Sequence, residues 1–132
     1  MNGVTLDSNV YVSALQFRGS GFLTMGRAGL IRIDTSEAIL EETLGVLRDK
    51  FGWGGYQIQH AREELLKFVN LVAPKHALAV ADDPDDNRIL ECALEAGSDY
   101  IVTWDKGLLR LGEYAGVRIV APAEFVARRP ER

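Results

Sequence analysis

Acidic side chains at the ends of short apolar runs are the residues of this chain whose type and spacing could do chemistry. Asp7 follows the run Gly3–Leu6, and Asp105 closes the run that begins at Tyr100. Asp82-Asp83-Pro84-Asp85-Asp86 is a third acidic group, and Glu41-Glu42 a fourth, inside a stretch of helical periodicity. Carboxylates gathered from distant parts of a chain suit hard divalent cations, which take oxygen ligands. Each acid also has an ordinary role open to it. Asp7-Ser8-Asn9 can cap a helix. Asp83 can cap another with Pro84 at its first position, and acids in a first turn suit the helix dipole.

Two of the groups need closer reading. Asp86 aligns with Ile89, Leu90, Ala93 and Gly97, the apolar stripe of its helix, whereas Asp85 lies about 100° to one side. An acid on an apolar face is costly to bury without a partner, and a bound cation would explain it. Glu41 and Glu42 both fall off the Leu40/Leu44/Leu47 stripe, so periodicity does not choose between them.

The elements that must position these acids alternate short apolar runs with amphipathic stretches, which predicts an α/β domain with a mainly parallel sheet. Strands are expected at Gly3–Leu6, Leu30–Asp34, Ala77–Ala81, Tyr100–Thr103 and Val117–Val120. Helices are expected at Asn9–Phe17 and Gly21–Ala28, with a break at Gly19-Ser20. Further helices are expected at Glu37–Lys50 (capped by Ser36, with Leu40, Leu44, Leu47 and Phe51 on one stripe) and Gln57–Val72. The last two run from Asp83-Pro84 to Ala96 and from Pro122 to Ala127. In such sheets ligands bind outside the carboxyl ends of the strands, and Asp7 and Asp105 both fall there.

With 132 residues the chain has the size of one domain, residues 1–132, with a polar tail from about Arg128 expected to fray. No apolar run is long enough to span a bilayer, so no membrane is expected. The start, Met1-Asn2-Gly3, lacks the basic and apolar regions of a signal peptide, and the lone Cys92 forms no internal disulfide; both point to the cytoplasm. The formal net charge of −4 argues against holding nucleic acid by simple phosphate neutralisation. That objection weakens if clustered acids hold cations, because the ions then face the phosphate.

Other reactive residues are sparse. His60 and His76 lack metal-ligand spacing, and Ser8 has no evident His partner for a triad. Gly52-Trp53-Gly54-Gly55 follows a helix rather than a strand, so it reads as a loop and not a nucleotide fingerprint. Trp53 and Trp104 could stack on bases, although packing is the usual fate of a tryptophan. A haloacid-dehalogenase-type phosphatase would need a second Asp two residues after Asp7, where Asn9 stands. A receiver domain would need an acidic neighbour beside Asp7, and Ser8 is there instead.

Four segments, in order, resemble the PIN-domain family: Asp7-Ser8-Asn9-Val10, Ser36…Glu42…Val46-Leu47, Asp83-Pro84-Asp85-Asp86-Asn87-Arg88-Ile89-Leu90 and Ile101-Val102-Thr103-Trp104-Asp105-Lys106. Each is weak alone, but four in this order at these distances are specific, and they span about Val4 to Phe125. The likeness is closest to members that serve as toxins of toxin–antitoxin pairs, similar to VapC. The resemblance implies a three-layer, Rossmann-like α/β/α fold with about five strands, and endoribonuclease activity dependent on Mg²⁺ or Mn²⁺. It implies Asp7, Glu42, Asp86 and Asp105 as the catalytic, metal-holding cluster, and so selects Glu42 over Glu41. Asn9 and Thr103 match the flanking polar positions and take supporting roles. Many members carry a further acid two residues after the position of Asp105; here Gly107 stands there, and Asp85 could partly compensate. An RNA substrate, an antitoxin laid over the acidic site and a homodimer are the implied partners. A PIN fold that only binds RNA or protein, with weak catalysis, is the alternative.

Overall fold

The computed structural model describes residues 1–18 and 21–128. The expected break at Gly19-Ser20 and the tail beyond Arg128 lie outside the described residues. Strands β1 (Asn2–Leu6) and β2 (Ile31–Thr35) are joined through helices α1 (Ser8–Phe17) and α2 (Phe22–Arg27). Helices α3 (Glu37–Phe51) and α4 (Gly55–Leu66) lead to a two-residue strand, β3 (Asn70–Leu71). Helix α5 (Pro84–Ala96) crosses to β4 (Tyr100–Val102), and α6 (Lys106–Leu111) to the hairpin of β5 (Glu113–Tyr114) and β6 (Val117–Val120). Helix α7 (Pro122–Arg128) follows.

The sheet order is β3-β2-β1-β4-β6-β5, parallel except for β5. The chain winds outward from β1 through β2 to β3, then returns across the sheet to β4 and β6. With right-handed crossovers, that reversal places α1–α4 on one face and α5 and α6 on the other. The switch point lies between β1 and β4, where Leu6 pairs with Val102. The three-layer α/β/α architecture with a mainly parallel sheet agrees with the sequence reading; among the described residues the strands number six rather than about five.

Alternation along the central strands sorts the core. Val4 and Leu6 of β1, with Ile31 and Ile33 of β2, join the main apolar cluster. Gly3 and Thr5, with Arg32 and Asp34, face α5. Gly3 pairs with Arg32 in register, and a Cβ at Gly3 would lie 2.2 Å from the Arg32 Nη2. That missing side chain lets the guanidinium lie across the strand and clamp the fully buried Asp34 through two bonds of 2.7 and 3.0 Å. Ser98 and Asn70 also donate to Asp34, and Arg32 reaches the Ala96 carbonyl at the end of α5. A smaller cluster of Val12, Leu44, Leu47 and Ala61 joins α1, α3 and α4.

Several elements differ from the sequence reading. Ala77–Ala81 is not a strand. Its backbone groups are satisfied by side chains of α5. Asn87 Oδ1 accepts from the Val80 and Ala81 amides, Asn87 Nδ2 donates to the Ala81 carbonyl, and Glu91 Oε2 accepts from the Leu78 amide. The helix expected over Gln57–Val72 stops at Leu66, and the chain turns to pair Asn70 and Leu71 with the free edge of β2. Edge pairing outweighs the helical periodicity of Phe68, Val69 and Val72. Helix α6 is additional: Asp105 starts it by accepting the Leu108 amide. The β5 hairpin is too short to signal; Ala115 and Gly116 both adopt positive φ, as a two-residue type I′ turn requires. Phe51 falls at the end of its stripe and is 39% exposed, unlike the buried Leu40, Leu44 and Leu47.

The bonding of Ala77–Ala81 predicts the effect of Asn87→Ala. The change leaves two amides and one carbonyl to be resolvated at a half-exposed segment, a loss of about 2 kcal/mol. A fall in Tm of roughly 5–10 °C is expected; a Tm within about 1 °C of wild type would contradict the bracing role.

Candidate active site

Asp7 leaves the end of β1 as the N-cap of α1, accepting from the Ser8 amide at 2.7 Å. Its other carboxylate oxygen accepts from the Thr103 hydroxyl at 2.6 Å, and the same hydroxyl accepts from the Asp105 amide at 2.8 Å. Thr103, fully buried at the end of β4, therefore ties the two acids together. Asp105 is at once the N-cap of α6, through Oδ2 and the Leu108 amide, and a wall of the site. Both strand-end acids thus cap helices and face the site; the two roles are not exclusive.

Asp86 comes to the same place from the first turn of α5, behind the cap Asp83 and Pro84. It is half-buried, whereas Asp85 is exposed. Partial burial, the charge of Asp105 and a carboxyl–carboxyl hydrogen bond with it push the Asp86 pKa up to about 7, with Asp83 and Asp7 adding to the effect. Glu42 on α3 is half-buried and raised above the usual range by desolvation and by the charge and hydrogen bond of Asp85. Glu41 is exposed and lies outside the pocket. Asp7 is raised too: burial outweighs the bonds from Thr103 and Ser8, and Asp105 contributes repulsion. The structure therefore brings Asp7, Glu42, Asp86 and Asp105 around one pocket of about 530 Å³, with Asp83 and Asp85 on its rim.

The supporting positions are placed as follows. Asn9 lines the pocket, and its buried Oδ1 has no hydrogen-bond partner among the described residues. Gly107 has its Cα against the acid pair: a Cβ there would lie 3.0 Å from Asp105 Oδ2 and 3.7 Å from Asp86 Oδ2. A longer acidic side chain at this position would project at the same pair. Lys50 and Arg88 also line the pocket, but Arg88 is held by two bonds to Glu91. Arg48 pairs with Asp49, and Arg27 lies over the Phe68 ring. Trp53 is a packing residue, its indole donating to Gln16, while Trp104 beside Asp105 is 46% exposed. His60 stacks on Tyr56 and His76 lies beside Glu95, away from the acids. Cys92 is buried and its thiol is pushed up to about 12 by desolvation, so it is inert.

An oxygen-only donor set fits hard cations of the Mg²⁺ or Mn²⁺ class and not zinc, which takes His and Cys. Among the described residues no three His, Cys, Asp or Glu side chains form a ready ligand shell. The acids ring the pocket instead of converging on a point. That suits Mg²⁺, which keeps several waters and uses one or two carboxylates.

The sequence pattern of the PIN domain matches residues 3–107. No curated protein matches the chain. Among solved structures, a chain of VapBC2 from Rickettsia felis, bound to a DNA fragment from their promoter, is similar with a TM-score of 0.63. It is 17% identical, over 89% of this chain and 96% of that one. A chain of VapBC-1 from nontypeable Haemophilus influenzae is similar with a TM-score of 0.62 at 17% identity, over 92% of this chain and 98% of that one. At such identity the likeness is one of fold.

The carboxyl repulsion has a measurable consequence. Folded Asp86 keeps its proton up to about pH 7, whereas the unfolded chain releases it near the ordinary 3.8. Between those values the folded state binds more protons, so stability falls as pH rises and the full penalty is present above about pH 7. Asp7 and Glu42, also raised, act in the same direction. Melting in EDTA should show Tm falling from about pH 4 to 7, with Asp86→Asn flatter and more stable than wild type at about pH 8. An equal pH slope in the variant would remove Asp86 from this account.

Proposed function

The chain belongs to the PIN-domain family, a family of nucleases, and on that premise we propose that it is a metal-dependent endoribonuclease, the cytoplasmic toxin of a toxin–antitoxin pair. The observation that carries the reading is the Asp86–Asp105 carboxyl pair beside Asp7 at the switch point of the sheet. Such a pair is unfavourable with both members ionised and is relieved by a cation. Asp7, Glu42, Asp86 and Asp105 would hold Mg²⁺ or Mn²⁺. Bound among them, the cation would acidify water and set positive charge against the scissile phosphate.

The chain's own residues supply the rest. Thr103 fixes the Asp7 carboxylate against the Asp105 backbone and the Leu108 amide holds the Asp105 carboxylate, so the two acids do not have to be organised when substrate arrives. Asp86 changes protonation near neutrality. Asn9 offers its amide at the pocket wall, and Asp85 adds to the desolvation that raises Glu42. Lys50 faces the flanking backbone. The VapBC likenesses support an antitoxin partner; on this reading it would lie over the acids, and the chain would form a homodimer.

A second reading, a PIN fold that binds RNA or protein with weak catalysis, is favoured by Gly107, which leaves the acid pair without the side chain its position would deliver.

Asparagine is the proper probe, because it still caps a helix while losing the charge. Cleavage of a panel of structured and single-stranded RNAs should require Mn²⁺ or Mg²⁺, stop in EDTA, and fall at least about 100-fold in Asp7→Asn and Asp105→Asn, the scale of losing one electrostatic stabiliser. Cutting that survives Asp7→Asn would belong to a contaminant. No cutting with any metal by a folded chain would establish the binding-only reading.

A further inference from the structure

The groove that holds the acids does not end with them. It continues between α1 and α3, lined by Asn9, Ser13 and Phe17 on one wall and by Glu42, Val46 and Lys50 on the other. Residues four apart share a helix face, so each set forms a continuous wall. At 1.5 Å per residue, Phe17 lies about 15 Å along its helix from Asp7, and Phe51 about 14 Å from Glu42. The two rings meet edge to face, with centroids 5.6 Å apart and planes at 83°. Phe17 is 65% exposed and Phe51 39%, so aromatic surface stays open to solvent at the groove mouth. Lys50 lines the same end and has no ion-pair partner among the described residues.

We infer that this end of the groove is a nucleobase subsite: one base of a single-stranded RNA stacks on the Phe17–Phe51 pair, Lys50 faces its phosphate, and the strand runs on to the acids. This rests on the nuclease reading and adds a subsite for one base of the strand. A duplex keeps its bases stacked inside and offers none to the pair. An aromatic platform beside a cation is the usual means of holding a single strand without sequence readout. Lys50, without an ion-pair partner among the described residues, supplies positive charge for a phosphate at the Phe17–Phe51 end.

The test measures binding of labelled single-stranded RNA to the full chain carrying Asp7→Asn, in Mn²⁺, so that the strand stays intact. Phe17→Ala should weaken binding roughly tenfold, and Phe17→Trp should restore it. In a series of RNAs each lacking one base, a single position should bind as weakly as Phe17→Ala does, with no further loss when the two changes are combined. Lys50→Ala should flatten the salt dependence. Wild-type affinity in both Phe17→Ala and Phe51→Ala overturns the inference. So does a loss of affinity that adds to every abasic position alike. Unchanged affinity with a dimer that falls to monomers would assign the rings to contacts between copies. Stacking without metal-dependent cleavage would sink the nuclease reading and leave the subsite; cleavage without stacking would do the reverse.

Discussion

The register between β1 and β4 sets everything at the site. Leu6 lies opposite Val102, and the Asp7 amide donates to the Val102 carbonyl at 2.9 Å. That places the Asp7 carboxylate under the Thr103 hydroxyl and, through it, beside Asp105. A slip of one residue would turn every β1 side chain to the opposite face, putting Leu6 where Asp7 now stands. The register is held by burial on both sides: Val4 and Leu6 in the apolar core, and Thr5 bonded to Ser98 on the α5 face. Gly3 contributes from the far end by making room for Arg32 and so for the Asp34 anchor of α5. A fold with so fixed a centre can hold like charges together at its edge.

Helix starts offset part of that repulsion. Asp7, Asp83 and Asp105 each accept a first-turn amide, of α1, α5 and α6. A capping Asp is worth about 1 kcal/mol to its helix, and the dipole favours the charged form. Asp86 and Glu42 have no such bonds, so desolvation and neighbouring carboxylates raise them unopposed, whereas in Asp7 the bonds offset part of the effect of burial. The cluster therefore divides into acids fixed by caps and acids held mostly by the packing of their helices.

Much of this was legible in the sequence, and the gaps have physical causes. Asp7, Asp86 and Asp105 could be placed at one edge because strand ends and helical phase are local properties. Glu42 could not be separated from Glu41 by phase; the structure separates them by exposure, which depends on how α3 lies against α5. The Ala77–Ala81 run carries a strand-like composition, yet its backbone partners are the Asn87 and Glu91 side chains. No local pattern distinguishes a strand from an extended segment braced by a helix. Phe17 and Phe51 fall at the ends of two amphipathic helices, and only the meeting of α1 with α3 shows that the rings come together in the open.

On the proposed reading these carboxylates would hold a divalent cation, which would displace the proton that Asp86 carries below about pH 7. Calorimetric titration of the chain with Mn²⁺, in buffers of different ionisation heat, reads that proton directly. Binding should release protons at about pH 6 and progressively fewer as pH passes 7, with a smaller release in Asp86→Asn. No binding, or binding whose proton release is unchanged in Asp86→Asn, would contradict it.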